Sequence, residues 1–179
     1  MSRIGRKPIE LPASVTFENN NGKVTVKGPL GTLTREFPSK DIQFKVENNE
    51  ILVSRNNDKD ETRALHGLYR QLVENMVVGV TKGYQKQLNI NGVGFKASMS
   101  GQNVVLNIGF SHPVEVKAIP GITLSCDKTV ITVKGIDKEL VGQFAARVRD
   151  IKPVEPYHAY GITYVDEVVV RKERKTGKK

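Results

Sequence analysis

The sequence holds no tryptophan, and phenylalanine and tyrosine bring its aromatic share to only 6%. Any recognition model built on extensive ring stacking is weakened by that scarcity. The single cysteine, Cys126, excludes an internal disulfide and any cysteine-based zinc site, which suits a reducing compartment. No segment approaches the roughly 18 consecutive apolar residues of a membrane span. The start, Met1-Ser2-Arg3-Ile4-Gly5-Arg6-Lys7-Pro8, is basic but has no hydrophobic stretch behind it that resembles a signal peptide. The expectation is a protein that stays where it is made, with no membrane partner.

Positive charge is abundant. Among 179 residues, 28 Lys and Arg face 19 Asp and Glu, for a formal net charge of +9, while 38% hydrophobic residues suffice for a folded core. Such a balance favours a polyanion over a neutral small molecule as partner. The charge is unevenly placed. Residues 1–82 hold 13 basic and 10 acidic residues, and residues 83–179 hold 15 and 9. The tail from Arg171 to Lys179 alone carries six basic residues and one acidic, and residues 1–10 carry three and one, which leaves +2 for everything between. Terminal extensions of this kind are either solvated or neutralise nucleic-acid phosphates with release of counterions.

The chain repeats itself. Glu50-Ile51-Leu52-Val53-Ser54-Arg55 lies 79 positions before Thr129-Val130-Ile131-Thr132-Val133-Lys134, and the same offset carries the turn glycine Gly22 onto Gly101. A helical pattern follows each second anchor. Leu65, Leu68, Tyr69, Leu72, Val73 and Met76 recur at helical spacing in the first copy, as do Leu140, Val141, Phe144, Ala145, Val148 and Ile151 in the second. Asp58-x-x-Glu61 has capping-box spacing, and Asp137 is placed to cap the second helix. The remaining segments, rich in Val, Ile, Thr and Phe, are punctuated by Asn, Gly and Pro clusters that read as turns between antiparallel strands. The predicted fold is α+β: two duplicated domains, residues 1–82 and 83–179, each a small, mainly antiparallel sheet packed with one helix. The expected boundary is Gly79-Val80-Thr81-Lys82-Gly83, where two glycines interrupt the apolar run.

Motifs for catalysis are weak. Gly92-Val93-Gly94-Phe95-Lys96-Ala97 fits the G-x-G-x-x-A dinucleotide fingerprint, but that motif requires a helix to begin within it, and a strand pattern follows instead. A tight bend between strands is the better reading. His66, His112 and His158 are scattered singly, and His66 is expected on the helix surface. Ser111 and His112 are adjacent but lack a nucleophile elbow. Asp166 and Glu167 are read as neighbours on a strand, with side chains on opposite faces. Cys126 is read as a small buried hydrophobe. No enzymatic activity, metal site, cofactor or small-molecule substrate is expected.

The segment Lys152-Pro153-Val154-Glu155-Pro156-Tyr157-His158-Ala159-Tyr160-Gly161-Ile162-Thr163-Tyr164 concentrates three of the five tyrosines beside the basic tail. Its prolines end the second helix and hold an extended loop. Tyr157 and Tyr160 are suited to stack on unpaired bases or to donate hydroxyl hydrogen bonds to RNA, whereas Tyr164 on an alternating strand is expected to fill the small core.

At this point the sequence resembles the bacterial L-six family of large-subunit ribosomal proteins over essentially its whole length. The resemblance rests on the opening Ser2 to Ile9, Lys27-Gly28-Pro29-Leu30-Gly31, Gly92 to Ala97, Gly109-Phe110-Ser111-His112-Pro113-Val114 and Lys152 to Tyr157, in that order. It implies a structural, cytoplasmic protein of the ribosome that binds large-subunit ribosomal RNA near the sarcin-ricin loop and the stalk base. Neighbouring ribosomal proteins there, and the docking region for translation factors, complete the implied setting. One departure stands out. After Pro156-Tyr157 the family pattern reads Lys-Gly-Lys-Gly-Ile, where this chain has His158-Ala159-Tyr160-Gly161-Ile162, so cationic positions are replaced. Pro156, Tyr157, Gly161 and Tyr164 carry over by motif. The candidate RNA contacts are Arg3, Arg6 and Lys7 at the start, and Gly92, Gly94, Lys96, Gly109, Ser111 and His112 in the glycine-containing bends. Lys152, Pro156, Tyr157, His158, Tyr160, Gly161 and Tyr164 follow after the second helix, then Arg171, Lys172, Arg174, Lys175, Lys178 and Lys179 in the tail. The charge pattern alone also permits a free-standing RNA-binding module.

Overall fold

The computed structural model describes residues 3–173. It divides into two compact units: the residues up to Gly83 with Ile136–Lys138, and Tyr84–Gly135 with the residues from Glu139 onward. In the first, β1 (Ile9–Glu10), β2 (Thr16–Asn20), β3 (Lys23–Gly28), β4 (Gly31–Glu36), β5 (Ile42–Glu47) and β6 (Glu50–Arg55) precede helix α1 (Asp60–Thr81). These strands pair antiparallel in two three-stranded sheets, ordered β2-β3-β4 and β1-β6-β5. Left-handed Asn21 and Gly22 turn β2 into β3, and left-handed Asn48 and Asn49 turn β5 into β6, the backbone shape that two-residue hairpin loops demand.

The second unit repeats this plan. It contains β7 (Tyr84–Asn91), β8 (Lys96–Ser100), β9 (Asn103–Asn107), β10 (Val114–Val116), β11 (Ile122–Asp127), β12 (Val130–Gly135), α2 (Lys138–Asp150) and β13 (Gly161–Tyr164). One sheet is ordered β8-β9-β10, the other β11-β12-β7-β13, with every pairing antiparallel. The anchors found at the 79-residue offset fall on β6 and β12, and Gly22 and Gly101 occupy corresponding turns. The fold is therefore two duplicated α+β units.

Each unit closes its own core. Alternation along β3 buries Val24 and Val26, which meet Ile51, Val73 and Val80 in the first unit. Leu88, Leu106, Ile131, Val133 and Ile162 do the same in the second. Removing each such side chain from water contributes roughly 1.5–3 kcal/mol, before the entropy of ordering it is subtracted. The α2 stripe lies as its periodicity predicts. Val141, Phe144, Ala145 and Val148 are buried, with Leu140 and Ile151 packed at the margin.

Helix α1 corrects several expectations. Its buried face runs through Thr62, His66, Tyr69, Arg70, Val73, Met76, Val77 and Val80, while Leu68 is 51% exposed. His66 is not on the surface: it is 4% exposed, and its Nε2 donates to the Val53 carbonyl at 2.9 Å. Arg70 is 3% exposed and donates to the carbonyls of Lys7 and Pro8 at 3.0 and 3.1 Å while pairing with Glu74. These polar groups are tolerated inside because distant backbone satisfies them. The capping box does not form either. Lys59 is the N-cap without a side-chain bond, because the Asp58 carboxylate is drawn to Arg55 at 2.5 Å. Gly79 does not interrupt the helix; it lies buried within it, and the turn closes at Gly83, whose N–H bonds to the Gly79 carbonyl at 3.1 Å. Asp166 and Glu167 are not on a strand. They follow β13 in a turn closed by the Glu167 N–H on the Tyr164 carbonyl at 3.1 Å.

Candidate nucleic-acid interface

Three connections of the second unit converge on one face: the bend between β7 and β8, the loop between β9 and β10, and the long connection from α2 to β13. Their meeting point is aromatic. The rings of Phe95 and Tyr160 lie 6.4 Å apart at 57°, those of His158 and Tyr160 5.2 Å apart and near-parallel, and those of Phe110 and His112 6.5 Å apart and near-parallel. The Lys152 ammonium stands 4.7 Å from the Phe110 ring centre and 6.0 Å from that of Phe95. Phe110, Tyr157 and Tyr160 are 43%, 49% and 38% exposed, and Val93 at the tip of the first bend is 84% exposed.

Glycine makes this packing feasible. A Cβ on Gly92 would collide with the Phe95 ring, and one on Gly109 would press it at 3.1 Å, so both glycines hold open the seat of Phe95. Gly94, at φ +76°, opens onto free space. Gly161 serves the fold rather than presenting backbone outward: at φ +144°, a Cβ there would lie only 2.7–2.9 Å from the Lys152–Val154 backbone, so the close packing of these segments requires glycine. The loop between is tied by its own bonds. The Glu155 N–H donates to the Tyr160 carbonyl at 3.0 Å and the Ala159 N–H to the Glu155 carbonyl at 3.1 Å. The Glu155 carboxylate accepts from the His158 N–H and contacts the His158 ring, each at 2.6 Å. These contacts set His158 against Tyr160.

Beside this face, Tyr164 is partly buried against the core, between Lys86 at 5.5 Å and Arg149 at 5.7 Å. Arg149 also grips Glu167 with two bonds of 3.0 and 2.5 Å, and the same carboxylate accepts from the Tyr164 N–H at 3.1 Å. The hydrogen bonds that Arg149 donates hold the Glu167 carboxyl below its ordinary range, and donating them to Glu167 raises the pKa of the Arg149 guanidinium. The segment then runs outward, with the Lys172 N–H on the Pro156 carbonyl at 2.9 Å. This bond tethers the start of the basic tail to the tyrosine loop.

Of the candidate contacts, Ser111, His112, Lys152, Pro156, Tyr157, His158 and Tyr160 lie in these converging connections. Lys96 is exposed at the start of β8. Arg3, Arg6 and Lys7 are exposed in the first unit, and Arg171 and Lys172 are exposed after β13. Arg174, Lys175, Lys178 and Lys179 lie outside the described residues. Phe95 and Phe110 were missed by sequence reasoning; the available signal was an aromatic directly after a glycine in each bend. Cys126 is partly buried at the core margin, where desolvation raises its thiol pKa. Among the described residues, no group of His, Cys, Asp or Glu is placed to hold a metal ion, and no helix is long and apolar enough to cross a membrane. Ser111 Oγ and His112 Nδ1 are 3.4 Å apart on the exposed surface.

The family model described as "Ribosomal protein L6" matches this chain twice, over residues 11–83 and 91–165. Proteins named large ribosomal subunit protein uL6 are similar over its whole length. That of Clostridium kluyveri is 51% identical, with all of both chains covered. That of Streptococcus pneumoniae is 54% identical and that of Halalkalibacterium halodurans 52%, each covering 99% of this chain and all of the relative. With two matched halves that coincide with two duplicated α+β units, the chain belongs to the ribosomal protein L6 family.

Proposed function

We propose that this protein is a structural, non-enzymatic constituent of the large ribosomal subunit in the cytoplasm. In this reading it binds large-subunit ribosomal RNA near the sarcin-ricin loop and the stalk base, next to neighbouring ribosomal proteins, and supports the region where translation factors dock. The observation that carries the reading is the end-to-end likeness to uL6 proteins. The second repeat, 83–179, is the main RNA-binding domain, and its converging loops give the reading a physical basis. An exposed set of rings beside Lys152, with a basic tail starting at Arg171, offers both stacking and phosphate neutralisation. The basic segment Arg3 to Lys7 is a second grip at the opposite end of the sequence. Rings and hydroxyls at His158 and Tyr160 take over where the family pattern has lysines.

Sedimentation of cell extract after a moderate salt wash tests the assembly. Stoichiometric recovery with large subunits is expected, and recovery mainly in the free fraction contradicts it. Chemical probing of the ribosomal RNA with and without the protein tests the finer location. Protections are expected at the sarcin-ricin loop and stalk base, and protections confined to other regions overturn that location.

A further inference from the structure

We infer that Phe110 and Lys152 form a clasp for a single unpaired nucleotide, with Phe110 as the stacking surface for its base and Lys152 as the cation for its phosphate. The inference rests on the RNA-binding reading above and adds the class of RNA that this face takes. Lys152 is the informative group. It makes no ion pair among the described residues, although it is half-buried with its ammonium against two phenyl rings. In the first unit, by contrast, Lys23, Lys27, Arg55, Arg63 and Arg70 all have carboxylate partners. A cation held in place by ring faces and left without a carboxylate presents its three N–H donors to an external anion.

Phe110 is 43% exposed on a loop that ends in Ser111 and His112, whose own side chains are exposed. The Lys152 ammonium stands over the Phe110 ring at 4.7 Å from its centre, and the 43% exposure of Phe110 leaves ring surface beside that cation, the pairing of stacking platform and positive charge that single-stranded nucleic acid takes. A base inside a duplex has both faces covered by its stacked neighbours, so this clasp selects a bulged or looped nucleotide.

Equilibrium binding of the full chain to large-subunit ribosomal RNA transcripts, across a salt series, tests the clasp. Phe110→Ala should weaken binding roughly 5- to 100-fold with an unchanged salt slope, and Phe110→Tyr should restore it. Lys152→Gln should lower the slope by about 0.7, the value for one single-strand phosphate. Melting curves of both variants report whether each folds, and Lys152→Gln keeps the test alive if Phe110→Ala does not. If wild-type protein binds and the folded variants match it in affinity and slope, the clasp is overturned while RNA binding stands. If wild-type protein fails to bind the transcripts, the RNA-binding reading falls and the clasp with it.

Discussion

In the first unit the aromatic rings face inward. Phe17 and Phe44 lie 6.2 Å apart, Phe37 and Phe44 5.4 Å, and Phe37 and Tyr69 4.7 Å, all tilted and packed around the core. In the second unit, Phe110, Tyr157 and Tyr160 stand substantially exposed, with Lys152 among the rings. Two copies of one strand plan have thus diverged in what their side chains do. The supporting elements differ to match. The first unit covers its core with a 22-residue helix, whereas the second has a 13-residue helix and adds β13 to the free edge of β7. The connection that delivers β13 is the tyrosine loop. Duplication supplied a stable frame, and the extra strand in the second copy supplied a place to hold these exposed rings.

The most damaging way to break this comparison is Arg70→Ala in the first unit. It leaves the Lys7 and Pro8 carbonyls without their donor and reduces the Glu74 carboxylate to its bond from Gln71, and should cost about 2–5 kcal/mol. Calorimetry should show a lower-melting first transition while affinity for ribosomal RNA changes little in the cold. Gly161→Val attacks the second unit instead. Its side chain would enter the backbone of Lys152–Val154, at a φ that β-branched residues avoid, so a loss of about 2–4 kcal/mol and weakened RNA binding are expected together.

Tyr157→Ala sharpens the comparison without breaking a core. The ring is 49% exposed, so RNA affinity should fall by a factor of roughly 5 to 100 with little change in melting temperature. A large melting shift would assign the ring to packing. The smallest effect belongs to Glu167→Gln, which weakens the grip on Arg149 by roughly 0.5–1 kcal/mol at neutral pH. Because the folded Glu167 carboxyl lies below its ordinary value of 4.5, its contribution is present above that value and lost as pH falls through the lower one. Wild type and variant should therefore converge in stability in acid. A difference that persists there would contradict the ion-pair account.

The repeat and the second helix were legible because both are local patterns: six apolar residues at helical spacing define the α2 face, and turn residues bound each strand. The α1 face was not, because His66 and Arg70 look like surface residues until Val53, Lys7 and Pro8 reach them from elsewhere in the chain. Asp58 has cap spacing in the sequence, but Arg55, only three residues before it, takes its carboxylate instead. Tyr157 and Tyr160 could be singled out as neighbours in sequence, but Phe95 and Phe110 join them through the tertiary fold. A 6% aromatic content argued against stacking only as an average, since the exposed rings of the second unit gather in a few loops.

The central claim is that the second unit, through its loop face, meets ribosomal RNA. A photo-crosslinking amino acid placed at Val93, 84% exposed beside that face, or at Val46, 48% exposed in the first unit, tests it within isolated large subunits. The account predicts strong crosslinks to large-subunit ribosomal RNA from position 93 and far weaker ones from position 46. The opposite ranking would contradict it.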